Sequence, residues 1–280
     1  MIKLLFHRLF WGLYDYLGTL TISGLIAAAG FWLLGFLLVD AERLFLLVRI
    51  PSLRWIIGGL AGAWLIYSVA MLFSLGECIA HEKPIHPAAY LFPSMGRVKA
   101  AVMYTSFAGL GTLLVSSNIY FYAVQASRLG KPWGFASLVV VILFCYLMIF
   151  WFVYLMPLFG TVAVAPDRLG FFASMRTALI SLVVLPSLWI SAFFFFAMIS
   201  AIGSLTVLGS IFILPVWSAT SSIGIVLADE FLAKLRQAKS ELGNGQPLKN
   251  YRRRACELMI EDELRKPPRT WKDILKPWEY

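Results

Sequence analysis

The 52-residue stretch from Thr177 to Ala228, TALISLVVLPSLWISAFFFFAMISAIGSLTVLGSIFILPVWSATSSIGIVLA, contains no Asp, Glu, Lys or Arg. A bilayer core is about 30 Å thick, and roughly 20 helical residues cross it. The stretch is therefore long enough for two spans, and the small residues Ser200–Ser204 (SAIGS) favour a turn between them. We predict a helical hairpin whose two arms cover 177–199 and 204–227.

Four more charge-free blocks precede it, at Leu17–Val39, Trp55–Gly76, Ala100–Ser127 and Trp133–Pro166. Over the 280 residues, 60% are hydrophobic and only 14% are charged, whereas about a quarter of a soluble domain is charged. The predicted fold class is all-α, a polytopic membrane protein with a six-transmembrane-helix bundle. The predicted spans lie near 17–39, 55–79, 101–125, 134–158, 177–199 and 204–227.

The distribution of Lys and Arg predicts the orientation, because cytoplasmic loops are enriched in both. With six spans, the N-terminus, loops 80–100 and 159–176 and the tail share one side and carry nineteen of the 24 basic residues, against five on the other side. We expect both termini in the cytoplasm, no cleavable signal peptide, and a bacterial cytoplasmic (inner) membrane. The net charge of +9 fits anionic lipid headgroups and does not indicate nucleic-acid binding.

Two amphipathic segments flank the spans. The segment 3–16, KLLFHRLFWGLYDY, predicts an interfacial helix that leads into the first span. In the cytoplasmic tail, 229–280, the last span continues as a helix to Gly243. A second helix follows, with the apolar stripe Leu248, Tyr251, Ala255, Leu258 and Met259. The candidate residues for docking to a partner or to lipid are Arg252, Arg253, Arg254, Trp271, Trp278 and Tyr280.

Polar residues and prolines inside spans admit two interpretations. Kinks at Pro186 and Pro215, together with a polar face on span 3, would open a cavity; the candidate cavity residues are Asn118, Ser116, Thr112, Pro186 and Pro215. The alternative is ordinary packing, in which small residues such as Gly58 and Gly62 let helices approach closely.

The sequence G-E-C-I-A-H-E-K-P-I-H-P at Gly76–Pro87 concentrates possible metal ligands. Cys78 and His81 share a helix face, His86 follows in the loop, and a glutamate would complete a tetrahedral set. The spacing matches no established metal motif, and the prolines and charges are also typical of a chain leaving the membrane. Cys78, His81 and His86 remain candidates for a metal site.

Other sequence features argue against an enzyme. The three histidines, His7, His81 and His86, lie outside the span centres, where a bound tetrapyrrole would need ligands. Charged residues are absent near the predicted bilayer midplane, and the usual nucleotide, protease and hydrolase motifs are missing. We predict a protein without catalytic residues or a cofactor.

Five segments in this order give the chain a resemblance to a known family. They are FWGLYDYLGTL (10–20), HEKPIHPAAYLFPSMGRVKAA (81–101), YLMPLF (154–159), SMRTALISLVVLP (174–186) and FILPVWSAT (212–220). Over roughly residues 1–230 the chain resembles the YesL-like family of bacterial integral membrane proteins. The resemblance implies a six-helix bundle and an accessory role in transport, and it supplies no active-site residues.

Three functions are compatible with these observations. The first is an accessory or scaffold subunit that docks through its tail to other membrane protein subunits and to lipids. The second is a passive or partner-dependent carrier of a neutral or lipid-like solute. The third, a metal-dependent membrane enzyme, depends on the metal site at Cys78, His81 and His86.

Overall fold

The computed structural model describes residues 2–48, 52–81, 91–128, 130, 132–164, 170–205, 207–243 and 246–265, and every regular element of more than one turn in them is an α-helix. These helices are α1 (Ile2–Asp15), α2 (Leu17–Val48), α3 (Ser52–Ala80), α4 (Met95–Arg128), α5 (Trp133–Val164), α6 (Phe171–Val184), α7 (Pro186–Ser204), α8 (Val207–Leu242) and α9 (Leu248–Arg265). Five of them, α3, α4, α5, α7 and α8, are long and apolar enough to cross a membrane. The prediction of an all-helical membrane protein is confirmed.

Helix α8 is the central helix of the bundle. It contacts α1, α2, α3, α5, α6, α7 and α9. Its most apolar stretch is 72% buried, against 17% for those of α4 and α5. The sequence allows this position because the segment 217–224, WSATSSIG, is built mainly of small side chains, and small side chains let several helix backbones approach one axis.

Two glycines show how closely α5 and α3 approach α8. A Cβ built on Gly160 of α5 would lie 2.8 Å from the carbonyl carbon of Ser221 and even closer to its oxygen. A Cβ on Gly76 of α3 would lie 2.9 Å from the hydroxyl oxygen of Ser218. The Ser218 hydroxyl donates a hydrogen bond to the backbone oxygen of Leu72 at 2.7 Å. Helices α3 and α5 therefore pack on α8 almost backbone to backbone.

Three tryptophans pack over other glycines. The pairs are Trp64 over Gly30, Trp151 over Gly111 and Trp189 over Gly224. Each indole N–H has an acceptor, and Trp189 donates to the hydroxyl of Ser181 at 2.8 Å. A large ring over a residue without a side chain combines wide apolar contact with a satisfied polar group.

The structure corrects the predicted fifth span. Leu185, with φ −128° and ψ 58°, separates α6 from α7, and Pro186 is the first residue of α7 rather than a kink in mid-span. Residues 177–184 therefore belong to the short helix α6, and α7 alone is long enough to span. The break predicted at Ser200–Ser204 lies later in the structure, since these residues form the last turn of α7 and the turn follows at Leu205.

The closely packed core occupies one half of the bundle. Every residue from Val153 to Ala163 in α5 is buried, while α5 has no buried residue before Val153. In α3, burial is similarly concentrated in the C-terminal half. The distal half of the α4–α5 hairpin exposes most of its apolar side chains. The core lies at the end where α8 continues into the tail.

Candidate functional site

The tail helix α9 packs on the extension of α8 beyond its apolar part. Tyr251, Ala255, Leu258 and Met259 are buried, as predicted for an apolar stripe, while Leu248 is exposed. Ala255, Leu258 and Met259 belong to the same buried hydrophobic cluster as Phe231 and Ala238 of α8. The apolar face of α9 is therefore covered by this chain's own bundle.

The turn between α8 and α9 follows its sequence closely. Gly243 has φ +74°, a conformation that glycine adopts without steric cost and that commonly ends helices. The hydroxyl of Tyr251 donates to the backbone oxygen of Gly243 at 2.6 Å and accepts from the backbone N–H of Gln246 at 3.1 Å. One side chain of α9 thus holds both ends of the turn.

Arg254 lies in the seam between α8 and α9. Its guanidinium contacts Glu241 at 3.0 Å, Glu261 at 3.1 Å and Glu257 at 3.6 Å. Hydrogen bonds to Glu241 and Glu261 raise the pKa of Arg254. Three carboxylates around one guanidinium make Arg254 a link between the two helices.

Arg8 of α1 connects three helices. Its two terminal nitrogens donate to Glu230 of α8 and to Glu263 of α9, each at 3.0 Å. Burial alone would lower the pKa of Arg8, but the hydrogen bonds and charges of the two glutamates outweigh burial and raise it. The arginine is held because Leu4, Leu5 and Leu9, on the same helix, are buried in the core.

Lys234 and Asp262 form another ion pair between α8 and α9. The hydrogen bond from Lys234 lowers the pKa of Asp262. Together with the ion pairs of Arg8 and Arg254, this pair joins α9 to the bundle at residues 254, 262 and 263.

Acidification should loosen α9. A carboxyl with a lowered folded-state pKa contributes stability above its unfolded pKa, about 3.9 for Asp, and loses it as the pH falls through the folded value. We expect the separation of spin labels on α1 and α9 to stay constant from neutral pH to about pH 4 and to broaden below it. Asp262→Asn lacks this carboxyl, so a curve identical to that of the wild type would contradict the role of Asp262.

The other predicted docking residues have different surroundings. Arg252 donates to the backbone oxygen of Val184, the last residue of α6, at 2.8 Å. Arg253 is 82% exposed and pairs with Glu257 one turn along the same helix. Trp271, Trp278 and Tyr280 lie outside the described residues.

The candidate cavity residues lie on three helices, with Thr112, Ser116 and Asn118 on α4, Pro186 on α7 and Pro215 on α8. The Asn118 amide donates to the backbone oxygen of Leu114 at 2.7 Å, and Ser116 bonds to the backbone of its own helix, as does each neighbouring serine on α4. The hydroxyl of Thr112 accepts from the indole of Trp151 at 3.2 Å. Pro215 is buried in α8 and Pro186 begins α7. The candidates thus belong to three different helices.

The candidate metal ligands are only partly described. Glu77 forms an ion pair with Arg97 of α4, and Arg97 also donates to Ser74. Cys78 is half-buried and His81 is exposed in the turn after α3. Within the described ranges no three His, Cys, Asp or Glu side chains group as metal ligands, while Glu82 and His86 lie outside those ranges.

Sequence reasoning missed the role of Arg8. The signal was present, since Arg8, next to His7, interrupts the apolar run LLFHRLFW between the leucines that are buried. Its two partners are 222 and 255 residues away in the chain, and no local pattern identifies them.

Compared with protein-family models, curated proteins and solved structures, the chain matches none of them. The resemblance to the YesL-like family stays a prediction from the sequence.

Proposed function

We propose that this chain is a non-enzymatic integral membrane protein that serves as an accessory or scaffold subunit of a membrane protein complex. It spans a bacterial inner membrane six times, through α2, α3, α4, α5, α7 and α8, with both termini in the cytoplasm. It docks its partner through the C-terminal tail, 229–280.

The observation that carries the proposal is the anchoring of α9. Three separate contacts fix this helix to the bundle: Arg252 to Val184, the Arg254 cluster to α8, and Glu263 to Arg8. Residues 266–280, with Trp271, Trp278 and Tyr280, start from this fixed point. When such a segment binds a partner, the loss of conformational entropy is smaller if its first residue is already fixed than if it hangs on a free linker.

Packing around the prolines favours a subunit over a carrier. Pro215 and the residues that follow it to Ile225 are buried, apart from the half-buried Trp217. Pro186 is the first residue of α7, directly after the break at Leu185, so it does not kink the middle of a spanning helix. The implied transport role of YesL-like proteins is accessory, which agrees with a subunit.

Removing residues 266–280 should release the partner and leave the bundle intact. We expect native mass spectrometry of the protein, gently extracted from its own membrane, to show a stoichiometric membrane subunit. Truncation after Arg265 should abolish that species, because α9 and its anchors remain while the aromatic segment is gone.

Thermal unfolding of the truncated and full-length chains, measured side by side, controls for loss of fold. A lone chain or homo-oligomer carrying a lipid or small solute would move the assignment to the carrier. A partner retained after truncation would place docking elsewhere on the bundle.

A further inference from the structure

The position of α9 relative to the spans follows from its two ends. Near its N-terminus, Arg252 donates to Val184, two residues before Pro186 begins the candidate span α7. Near its C-terminus, Glu263 shares Arg8 with Glu230, which follows the apolar part of α8 by two residues. The C-terminal end of α9 is therefore tied to the place where α8 leaves its apolar part, and the N-terminal end is tied to the start of the candidate span α7. Helix α9 lies along the membrane boundary and does not project from it.

The side of α9 that faces away from the bundle carries a second stripe. Lys249, Arg253, Ile260 and Leu264 are spaced by 4, 7 and 4 residues, which at 3.6 residues per turn places them within about 60° of arc. Ile260 is 49% exposed and Leu264 is 79% exposed. The stripe is basic toward the N-terminus of α9 and aliphatic toward its C-terminus.

Most acidic residues around this helix are paired with cations outside the stripe. Glu241, Glu261, Asp262 and Glu263 are engaged by basic side chains in the seams with α8 and α1. Within the described residues no ion pair involves Lys249, and Arg253 has only its neighbour Glu257. These acidic side chains are therefore paired with cations, although Glu241, Glu261 and Asp262 stay exposed to solvent. The outer stripe presents the ammonium group of Lys249 and the guanidinium of Arg253 beside exposed aliphatic side chains.

We propose that this stripe binds the anionic phospholipid surface at the edge of the bundle. Basic side chains combined with apolar ones are the composition by which helices lie in the headgroup region, and each Lys or Arg near an anionic leaflet is attracted to it. Lys249 and Arg253 bind headgroup phosphates, and Ile260 and Leu264 enter the boundary of the acyl chains. This surface is separate from the partner-docking segment 266–280.

The test places a fluorescent label on single cysteines in the full-length chain, with Cys78, Cys145 and Cys256 replaced by alanine. The labelled variants are Ile260→Cys and Leu264→Cys. The control is Asn250→Cys, an exposed position near the other end of α9 and outside the arc of the stripe. Each is reconstituted in vesicles of phosphatidylcholine with or without phosphatidylglycerol. Brominated lipid and aqueous iodide serve as the two quenchers.

We expect the labels at 260 and 264 to be quenched by brominated lipid and protected from iodide, more strongly with phosphatidylglycerol, and the label at 250 to show the reverse. Adding Lys249→Glu and Arg253→Glu should remove the phosphatidylglycerol dependence at 264. Labels at 260 and 264 as open to iodide as the label at 250 would overturn the proposal. Protection from both quenchers would also overturn it, because it would mean that protein covers the stripe. Since Leu264 is largely exposed, its replacement does not threaten the fold, and neither result depends on whether residues 266–280 bind a partner.

Discussion

Gly160→Ala should unfold the bundle or destabilise it severely, although it adds a single methyl group. The new Cβ would meet the backbone carbonyl of Ser221 in α8, and a backbone in the central helix cannot rotate away as a side chain can. Overpacking of a well-packed core costs about 1–3 kcal/mol in ordinary cases. Because α5 would have to separate from α8, we expect about 3 kcal/mol or more here. Thermal unfolding followed by size-exclusion chromatography in detergent measures the loss.

Gly109→Ala is the matched control. Gly109 also lies inside an apolar helix, α4, and nothing lies within 4 Å of a Cβ built on it. Alanine is favoured over glycine in a helix by about 1 kcal/mol, so this variant should be neutral or slightly more stable. Equal stability of the two variants would contradict the close packing of α5 on α8.

Apolar patterning predicted most of the helices. In a bilayer, a long charge-free segment satisfies its backbone hydrogen bonds by forming a helix. The extension of α8 to Gly243 and the apolar stripe of α9 were also predicted, because a φ-permissive glycine and a helical repeat are local signals. Leu248 is the exception, exposed because it stands in the first turn of α9.

Features that depend on tertiary partners were not predicted. A proline inside an apolar block indicates a kink or a break, and the difference at Pro186 depends on contacts such as that of Trp189 with Ser181. At Gly58 and Gly62 the sequence predicted a close helix contact that the described structure does not contain. Their spacing permits close helix approach, yet no described residue lies within 4 Å of a Cβ built on either. A small-residue pattern indicates what a helix surface allows, and the rest of the chain decides whether a neighbour is there.

In the candidate site, too, the sequence indicated a general role, and the tertiary structure determines the partner of each residue. The run Arg252-Arg253-Arg254 reads as one basic patch in sequence. On a helix its members point in three directions, so Arg252 meets α6, Arg254 meets the seam with α8, and Arg253 alone stays on the outside. Composition indicated a docking function for the run, but only the position of α8 and α6 assigns each arginine its partner.

Arg8→Met should detach the C-terminal half of α9 while leaving the membrane bundle folded. Methionine keeps the apolar stem but removes both charge-assisted hydrogen bonds, the one to Glu230 and the one to Glu263. Hydrogen bonds to charged groups contribute about 1.5–3 kcal/mol each when buried. Because Glu230 is 41% exposed, solvent screening reduces this, and we expect α9 docking to weaken by about 1–3 kcal/mol. Hydrogen–deuterium exchange of the α9 amides should rise roughly tenfold to a hundredfold, with little change in α5.

Arg253→Met, compared with Arg8→Met in neutral detergent that offers no anionic headgroups, is the control for loss of one positive charge in the same region. Its ion pair is exposed and lies within one helix, and such pairs contribute about 0.3–0.5 kcal/mol, so exchange in α9 should barely change. Arg8→Lys should fall between the two, since an ammonium is a point charge and cannot serve two carboxylates with the fork geometry of a guanidinium. Equal exchange in the Arg8→Met and Arg253→Met variants would show that the apolar stripe alone holds α9. A rise in Arg8→Met alone would establish that the N-terminal helix fixes the tail, and hence the point from which residues 266–280 depart.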